Sequence, residues 1–434
     1  MKIWKKAVFS VVIVIFLSSI SLGNGLNLNS LGSKAVSMGG AFIGLADDFS
    51  ALFWNPAGLA QLDKKTFGFY GTDIIPSGAY RLTIPVINID IVNAETESKH
   101  YLAGMGGFFY PVNEDLVAGF GVYTPSGLGA SWNGADFAAV TDFLSYDWKS
   151  QVGVVTFSPA AAYKISDSFM IGASFNINYA MFDISTWAGM PEVLPGLFFN
   201  MGQQEMSLTG WGYGATFGIM VKPHKMINIG ASFRTPASVK FTGDTMIENL
   251  DILGQLFALN VPDTSAAETE VVWPMWFGIG VALFPLDNLT ITADFQYTDW
   301  AKIEEIDLRF TEQMWALFLP ADATAIKMNW ASTSQIRFGA EYKINKLALR
   351  GGLYFDPAPA PDLTMNVLLP SFDFTGITGG LGYALNGLNI DFAVEYLIGK
   401  DRDIPFLIDG EETEQPGAYS MKIFVPTISV SYGW

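Results

Sequence analysis

Apolar and polar residues alternate along most of the chain after residue 64, with the period of two that a half-buried β-strand produces. Between Leu289 and Tyr297, the odd positions carry Leu, Ile, Ala, Phe and Tyr, whereas the even positions carry Thr, Asp and Gln. Residues 171–179 and 211–219 alternate in the same way. Because successive side chains of a strand point to opposite faces, each segment has one apolar face and one polar or small-residue face.

Polar connections divide this pattern into fourteen segments. Six short turns lie at residues 111–115, 164–168, 222–226, 284–288, 343–347 and 385–388. Seven long connections lie near residues 73–98, 125–149, 182–207, 241–270, 299–332, 357–372 and 398–418. Short turns on one side and long loops on the other are typical of bacterial outer-membrane barrels. We therefore predict an all-β transmembrane fold, a 14-stranded antiparallel barrel whose apolar strand faces meet lipid.

Composition agrees with a membrane barrel. Half of the 434 residues are hydrophobic and 15% are charged, yet no internal run reaches the roughly 18 apolar residues of a membrane helix. A secreted sandwich or solenoid is the competing all-β interpretation, but a soluble sheet would not carry a continuous apolar face on every strand. The formal charge of −18 argues against a nucleic-acid partner. The absence of cysteine excludes disulfides and thiolate chemistry.

The first residues have the layout of a secretory signal. Lys2, Lys5 and Lys6 precede an apolar run over residues 7–17, and small residues follow up to Gly23. We predict a signal peptide over residues 1–23 with cleavage after Gly23. An uncleaved membrane anchor is the alternative, which the shortness of the apolar core disfavours.

Residues 24–63, between this signal and the predicted barrel of residues 64–434, are too rich in Gly, Ala and Asp to form a lipid-facing strand. We predict that they form a small N-terminal hatch that plugs the barrel. Two inward-facing rows of small residues suggest close packing against the wall, because glycine otherwise weakens a strand. These rows are Gly210, Gly212, Gly214 and Gly218, and Gly376, Thr378, Gly380 and Gly382.

Three short motifs in this segment resemble the hatch of FadL-type outer-membrane transporters, the family of long-chain fatty acid and toluene or xylene channels. They are Gly39-Gly40-Ala41, Ala46-Asp47-Asp48 and Asn55-Pro56-Ala57-Gly58-Leu59. The resemblance implies a hatch role for Gly39, Gly40, Asp47, Asp48, Asn55, Pro56 and Ala57. An Asn-Pro pair alone would indicate only a turn. The two aspartates are expected to cap backbone amides or meet inward arginines rather than to bind metal or act as an acid-base pair.

Further likeness to the family extends through much of the chain. The matching strand segments are Phe157-Ser158-Pro159-Ala160, residues 230–236, Tyr297-Thr298-Asp299-Trp300 and residues 349–356. The final residue, Trp434, is similar to the terminal aromatic by which outer-membrane barrels are recognised for insertion, although Phe is the commoner family residue.

Two outer loops carry apolar residues at the three- and four-residue intervals of an amphipathic helix. The first set is Leu194, Leu197, Phe198 and Met201, and the second is Met246, Leu250, Leu253 and Phe257. We predict a helix at each position. The family resemblance implies that these loops form an outer groove where substrate first binds, and packing of the loops on each other is the alternative.

Three arginines face the barrel interior according to the alternation of their strands. They are Arg234, Arg337 and Arg350. An arginine on the lipid face near the bilayer midplane would cost roughly 2–4 kcal/mol, which also favours the inward placement. Such a cation could bind the carboxylate of a hydrophobic acid. The alternative is an ion pair within the wall, formed with the inward acids Asp294, Glu341 or Glu395.

The third predicted strand, residues 116–123, continues into Pro125 and Gly127. Proline removes a ladder donor and glycine favours a bulge, so we expect pairing to fail there. In the resembled family, a kink at this strand opens the wall sideways, which implies a lateral opening at Pro125 and Gly127. Alternatively, these residues begin the second outer loop.

Together these features predict an outer-membrane channel for passive uptake of long-chain fatty acids or other hydrophobic compounds. Substrate would pass from the loop groove to an internal apolar pocket and leave laterally through the wall. Neither a cofactor nor a metal nor a catalytic residue is implied. The expected partners are outer-membrane lipid and the barrel-assembly machinery, and the resemblance favours a monomer.

Two other function classes compete with this prediction. A nonspecific hydrophilic porin would need an open lumen, which the N-terminal segment and the glycine rows disfavour. An outer-membrane lipid hydrolase would need a Ser-His pair at the rim. His100 is the residue that could serve, since His224, the other histidine, lies in a short turn.

Overall fold

The computed structural model describes residues 25–319 and 324–434. The predicted signal peptide therefore lies outside the described residues. Across the described ranges, fourteen strands form one closed antiparallel sheet, in which the first strand pairs with both the second and the last. The strands are β1 Thr66–Ile84, β2 Tyr101–Pro111, β3 Leu116–Trp132, β4 Trp148–Ser166, β5 Phe169–Trp187, β6 Gln203–His224, β7 Ile227–Arg234 with Ala237–Ile247, β8 Thr264–Trp273 with Trp276–Leu286, β9 Leu289–Thr298, β10 Thr333–Ile344, β11 Leu347–Asp356, β12 Phe374–Leu385, β13 Leu388–Gly399 and β14 Gly417–Gly433.

Shorter elements lie inside the barrel and in the outer loops. The α-helices are α1 Ser33–Ser37, α2 Ala51–Trp54 and α3 Leu250–Leu256. The 3-10 helices are Pro56–Gln61, Gly134–Val140, Trp300–Lys302, Gln313–Leu317 and Asp362–Thr364. The short loop strands are Ile89–Glu95, Glu192–Leu194, Leu197–Phe198, Glu305–Asp307, Arg309–Phe310, Ala325–Lys327, Arg402–Ile404, Leu407–Ile408 and Glu411–Glu412. Among the described residues, no helix has the length and apolar character needed to cross a membrane.

The six predicted short turns are confirmed, because strand pairs meet at each of those positions. On the opposite side, the strands run further outward than the sequence indicated. For example, β1 continues to Ile84 and pairs with Ile89–Glu95 inside a stretch predicted to be a long connection from residue 73. Beyond the membrane both faces of a strand meet water or loops, so the alternation fades there although backbone pairing continues.

The predicted strand faces are confirmed in β9. Thr290, Thr292 and Asp294 are buried inside the barrel, whereas Ile291 and Phe295 are exposed on its outer surface. A ring of such outward apolar side chains is the surface that a barrel presents to lipid.

Residues 25–63, hereafter the hatch, lie within the ring of strands. Their side chains are mostly buried, including Phe42 and Trp54. Hydrogen bonds join the hatch to opposite sides of the wall. They run from Ser33 to Ser429 of β14, from Gly39 to Thr378 of β12, from Phe42 and Ile43 to Asp294 of β9, and from Asn55 to Ile219 of β6. The lumen at this level is therefore filled by protein.

The inward glycine rows have more than one role. Gly218 lies against Asn55 of the hatch, and a Cβ on Gly380 would approach the Cβ of Ser37 to 2.6 Å. The other glycines of the two rows make room elsewhere in the wall. Gly210 and Gly212 approach the β7 backbone, Gly214 faces Thr235, Gly376 faces the Tyr354 ring, and Gly382 faces Arg350. Contact with the hatch thus accounts for only part of each predicted row.

Candidate functional site

The Asn55-Pro56-Ala57 motif forms both a turn and a tie to the wall. Pro56 starts a 3-10 helix, and the Asn55 side-chain oxygen accepts from the Ala57 amide at 3.2 Å. The Asn55 side-chain amide donates to two carbonyls at 3.0 Å, Ile43 in the hatch and Ile219 in β6. A fully buried asparagine with these three bonds fixes the hatch chain against one strand.

Gly39 and Gly40 allow the hatch backbone to lie close to the barrel wall at strands β10 to β12. Both have φ of +66°, a left-handed conformation that glycine adopts without a Cβ clash. Gly39 donates to the Thr378 hydroxyl at 3.0 Å and accepts from the Arg337 guanidinium at 3.0 Å. A Cβ on Gly40 would collide with Arg337.

Asp47 and Asp48 have different partners. Asp47 forms an ion pair with Lys34 at 2.7 Å within the hatch, instead of meeting a wall arginine. Asp48 accepts from the Ser50 amide at 2.8 Å and from the Ser50 hydroxyl at 2.6 Å, the predicted capping role. Burial raises the pKa of Asp48 to about 6. Burial alone would lower the pKa of Lys34, but the nearby carboxylates, led by Asp47, raise it above its usual value.

Arg350 is held in an ion-pair network within the wall. Its guanidinium contacts Glu341 and Asp391, each at 2.6 Å, and its side chain is 6% exposed. Of the two roles predicted for this arginine, the structure therefore favours the internal ion pair.

Arg337 is tied to the hatch. It donates to the Gln335 side-chain oxygen at 2.6 and 3.0 Å and to the Gly39 carbonyl, and it stacks on the Tyr354 ring at 4.5 Å. Neutral acceptors thus occupy its donors, which leaves it poorly placed for a substrate carboxylate.

Arg234 differs from the other two. It donates to the Phe53 carbonyl at 3.0 Å and lies over the Phe53 and Trp276 rings at 4.5 and 5.2 Å. Its Nε is buried without a hydrogen-bond partner, and no carboxylate in the described parts of the chain pairs with it. A small cavity beside it is lined in part by Asn27, Tyr123 and Trp273. Among the three arginines predicted to bind a carboxylate, Arg234 is therefore the one that combines an unpaired donor with a position in the lining of a cavity.

A larger cavity, hereafter the inner cavity, lies between the hatch, the wall and an outer loop. It encloses about 110 Å³, less than the roughly 300–1,000 Å³ common for small-molecule sites. Its apolar lining includes Leu26, Ile74, Val152, Trp330, Leu368, Leu369, Phe372, Phe374, Leu397, Met421 and Ile423. Asp356 is the one Asp, Glu, Lys, Arg or His in the described lining, and it accepts from Gln335 at 2.7 Å.

The wall has a gap beside this cavity. Pairing of β2 with β3 ends at Met105 and Tyr123, whereas β3 pairs with β4 up to Trp132 after a register shift. Within the gap, the Pro125 carbonyl accepts from the amide of hatch residue Leu28 at 2.8 Å. Beyond Tyr123, β3 thus loses its backbone pairing with β2 but keeps its pairing with β4. The alternative that Pro125 and Gly127 begin the outer loop is wrong, because both lie within β3.

The helix predicted over residues 194–201 is wrong. Glu192–Leu194 and Leu197–Phe198 form a small hairpin, because Pro195 and Gly196 make a turn between them, with Gly196 at φ +76°. The second predicted helix is partly confirmed, since α3 covers Leu250–Leu256 while Met246 belongs to β7.

The eight predicted groove residues fall into three groups. Met201, Leu250 and Leu253 are buried together with Val261 and Trp315, so the loops pack on each other as the alternative proposed. Met246 is half-buried. The remaining four are exposed, namely Leu194, Leu197, Phe198 and Phe257. A substrate-binding role for these four stays a prediction.

His100 does not form a serine nucleophile pair in the described structure. Its Nδ1 lies 2.6 Å from Asp73 Oδ2, and the side chain is largely exposed. The sequence pattern did not point to the hatch residue Lys34, nor to four residues that line the inner cavity, namely Tyr101, Asp356, Leu368 and Leu369. For Tyr101, the alternation of its strand was a signal for the inward face only.

Comparison with known proteins agrees with this architecture. Residues 14–422 match the family model described as outer membrane protein transport protein (OMPP1/FadL/TodX). A relative named long-chain fatty acid transport protein, from Escherichia coli O6:H1, is 23% identical, and the match covers 95% of this chain and 94% of the relative.

Solved structures have the same fold. A crystal structure of a FadL homologue from Pseudomonas aeruginosa superposes with a TM-score of 0.78 at 17% identity, covering 94% of this chain and 100% of that one. The toluene transporter TodX of Pseudomonas putida gives 0.73 at 17% identity, with 95% and 100% coverage.

Proposed function

Because this chain belongs to the OMPP1/FadL/TodX family of outer-membrane transport proteins, we propose that it takes up long-chain fatty acids or similar hydrophobic compounds by passive diffusion. It is an outer-membrane barrel and a transport protein, not an enzyme, since the family consists of transport channels. The lipid hydrolase alternative is thereby excluded.

The inner cavity is the observation that carries this proposal. Its lining is predominantly aliphatic and aromatic, and the hatch forms part of its floor through Leu26 and Asn27. Burying an apolar chain there would gain about 25 cal/mol for each Å² removed from water. A hydrophilic solute would gain nothing comparable, and the filled lumen leaves it little room to pass. A nonspecific porin function is therefore disfavoured.

The proposed route has three parts. Apolar compounds first bind the exposed loop residues, such as Phe198 and Phe257. They then enter the inner cavity and leave sideways through the gap beside Pro125 and Gly127, both of which border cavities at this part of the wall. Exit into the membrane would spare an apolar substrate a second passage through water.

Two substrate types remain candidates, and a different feature favours each. Arg234, with its unused Nε, favours a compound with a carboxylate head. Asp356 is the one acidic residue in the described lining of the inner cavity, and because no Lys, Arg or His lies there to bind a carboxylate, this lining favours a neutral hydrocarbon. The relatives named above include both a fatty acid transporter and a toluene transporter.

We further propose that the protein works as a monomer and is inserted by the barrel-assembly machinery, which would recognise outward aromatic residues of the last strand. Trp434 is exposed and stacks on Tyr432 of β14 at 5.7 Å between ring centroids. An outward, accessible aromatic is consistent with such recognition.

Uptake by cells tests the proposal, because an intact outer membrane excludes hydrophobic compounds. Cells lacking their own long-chain fatty acid channel would express this protein and receive radiolabelled hexadecanoic acid, toluene or sucrose. Saturable uptake of either hydrophobic compound without sucrose entry is expected. Entry of sucrose at a comparable rate, or uptake no higher than in cells with an empty vector, would refute it.

A further inference from the structure

The gap in the wall is occupied by one aromatic side chain. Tyr101 is the first residue of β2, and its ring lies across the gap against Gly129 of β3. A Cβ added to Gly129 would lie 2.5 Å from Cε1 and 2.8 Å from Cζ of this ring. The ring thus takes the space that any larger residue at position 129 would need.

Tyr101 also lies at the boundary between two cavities. The inner cavity includes Tyr101, Gly127 and Ser150 in its lining. A second cavity, hereafter the outer cleft, contains the same three residues and extends to Gln151 and Asp183 on the outer side of the wall. These three shared residues therefore lie on the boundary between the two cavities.

Of the three, only Tyr101 has a side chain that can both fill and clear the passage. Gly127 has none, and the small Ser150 side chain is hydrogen-bonded to the Leu368 carbonyl. The Tyr101 backbone is held by its pairing with Ile74 of β1. A change from one staggered side-chain rotamer to another would move the ring without breaking that pairing.

We propose that Tyr101 is the gate residue of the lateral exit, and that its ring sets the width of substrate that can leave the barrel. This inference rests on the lateral exit proposed above. Slender chains pass when the ring turns from Gly129 towards the outer cleft, whereas groups wider than the cleared space are retained. Glycine at position 129 lets the ring close flat against β3, which a side chain there would prevent.

The chain contains no cysteine, so single cysteines can be modified selectively. We would compare Tyr101→Cys with the wild type and with Leu102→Cys, whose side chain is 82% exposed on the outward face of the same strand. Uptake of hexadecanoic acid and of 12-(1-pyrenyl)dodecanoic acid would be measured in cells lacking their own channel. Tyr101→Phe, which keeps the ring, and Gly129→Ala, which displaces it, complete the set.

In the wild type and in Tyr101→Phe, hexadecanoic acid should enter several-fold faster than the pyrenyl acid. Tyr101→Cys and Gly129→Ala should raise pyrenyl uptake and reduce this preference. Modification of Tyr101→Cys with benzyl methanethiosulfonate should restore the preference for hexadecanoic acid. The same treatment of Leu102→Cys should leave the uptake of both acids unchanged. Heat-modifiability on gels would show that each barrel is folded.

Two failures are distinguishable. If the wild type takes up neither these two acids nor toluene, the proposed function fails and this inference fails with it. If the wild type prefers hexadecanoic acid and folded Tyr101→Cys keeps the same preference, lateral transport stands but Tyr101 is not its gate.

Discussion

Asn55 of the hatch and Gly218 of β6 touch directly, the asparagine side-chain oxygen lying where a Cβ of residue 218 would be. The same asparagine donates to the carbonyl of Ile219, the next residue of that strand. A wall position without a side chain and a buried amide in the hatch are therefore complementary. This pair shows how the hatch is anchored inside the barrel.

Asn55→Ala should loosen the hatch without unfolding the barrel. The Ile43 and Ile219 carbonyls would lose their bonds to the Asn55 amide, and the Ala57 amide would lose its acceptor. Each buried group left unpaired costs about 1–3 kcal/mol. Entry of small sugars into liposomes carrying the protein should rise above the wild-type level.

Gly218→Leu should have a similar effect on sugar entry, because its side chain would displace Asn55. Gly106→Leu is the matched control, since a Cβ there meets nothing within 4 Å. Equal sugar entry in the wild type, Asn55→Ala and Gly218→Leu would contradict an anchoring role for this contact.

Replacing Arg350 and Arg234 in turn should distinguish an arginine that stabilises the wall from one that binds substrate. Arg350→Gln removes the cation paired with Asp391 and leaves Glu341 with the half-exposed Lys343 as its ion-pair partner, and it should destabilise the barrel by about 3–5 kcal/mol. Arg234→Gln breaks no ion pair and should cost less stability, yet it should weaken binding of hexadecanoic acid while leaving toluene binding unchanged. Chemical unfolding and direct binding measure the two effects. Unchanged fatty acid binding in Arg234→Gln would show that the site accepts hydrocarbon chains without recognising a carboxylate.

Substitutions in the outer loops should distinguish residues that stabilise the loops from residues that bind substrate. Leu253→Ala removes a fully buried side chain from the cluster with Trp315 and should destabilise the loops by about 2–5 kcal/mol. Phe198→Ser, at an exposed position, should leave stability unchanged and reduce the rate of uptake at low substrate concentration. Loop stability can be followed by proteolysis. Unaltered uptake in Phe198→Ser would argue against capture at that hairpin.

Hatch stability should depend on the ionisation of Asp48. Its pKa is about 6 in the fold against 3.8 ordinarily, so folding favours the protonated acid. That stabilising contribution is complete below pH 3.8 and is lost as the pH rises through 6. Asp48→Asn, which keeps the acceptor for Ser50, should therefore stabilise the protein relative to the wild type by an amount that grows between pH 4 and pH 7. A difference in melting temperature that stays constant over this range would contradict the assignment.

Strand number and strand faces could be predicted because they follow from local alternation and turn residues. The contrast between Arg350 and Arg234 could not, since it depends on register. Arg350 is directly opposite Glu341 on the neighbouring strand, whereas Arg234 is opposite Trp276 and Thr216. Alternation indicates the face of a residue but not its partner across the ladder.

The outer loops were predicted less well, for a different reason. The spacing of Leu194, Leu197 and Phe198 predicts a helix, but Pro195 and Gly196 interrupt it and form a turn instead. The Tyr101 ring was missed because its importance depends on the glycines it meets on β3, across a gap that appears only when the barrel closes.

The most direct test of the account is to locate a bound substrate in the barrel. Crystals soaked with 16-bromohexadecanoic acid, and separately with 1-bromohexadecane, would show the bromine by anomalous scattering. The account predicts a bromine peak in the inner cavity, near Leu369 and Phe372, for at least one of the two compounds. Peaks confined to the outer surface or the detergent belt, with the inner cavity empty in both crystals, would contradict it.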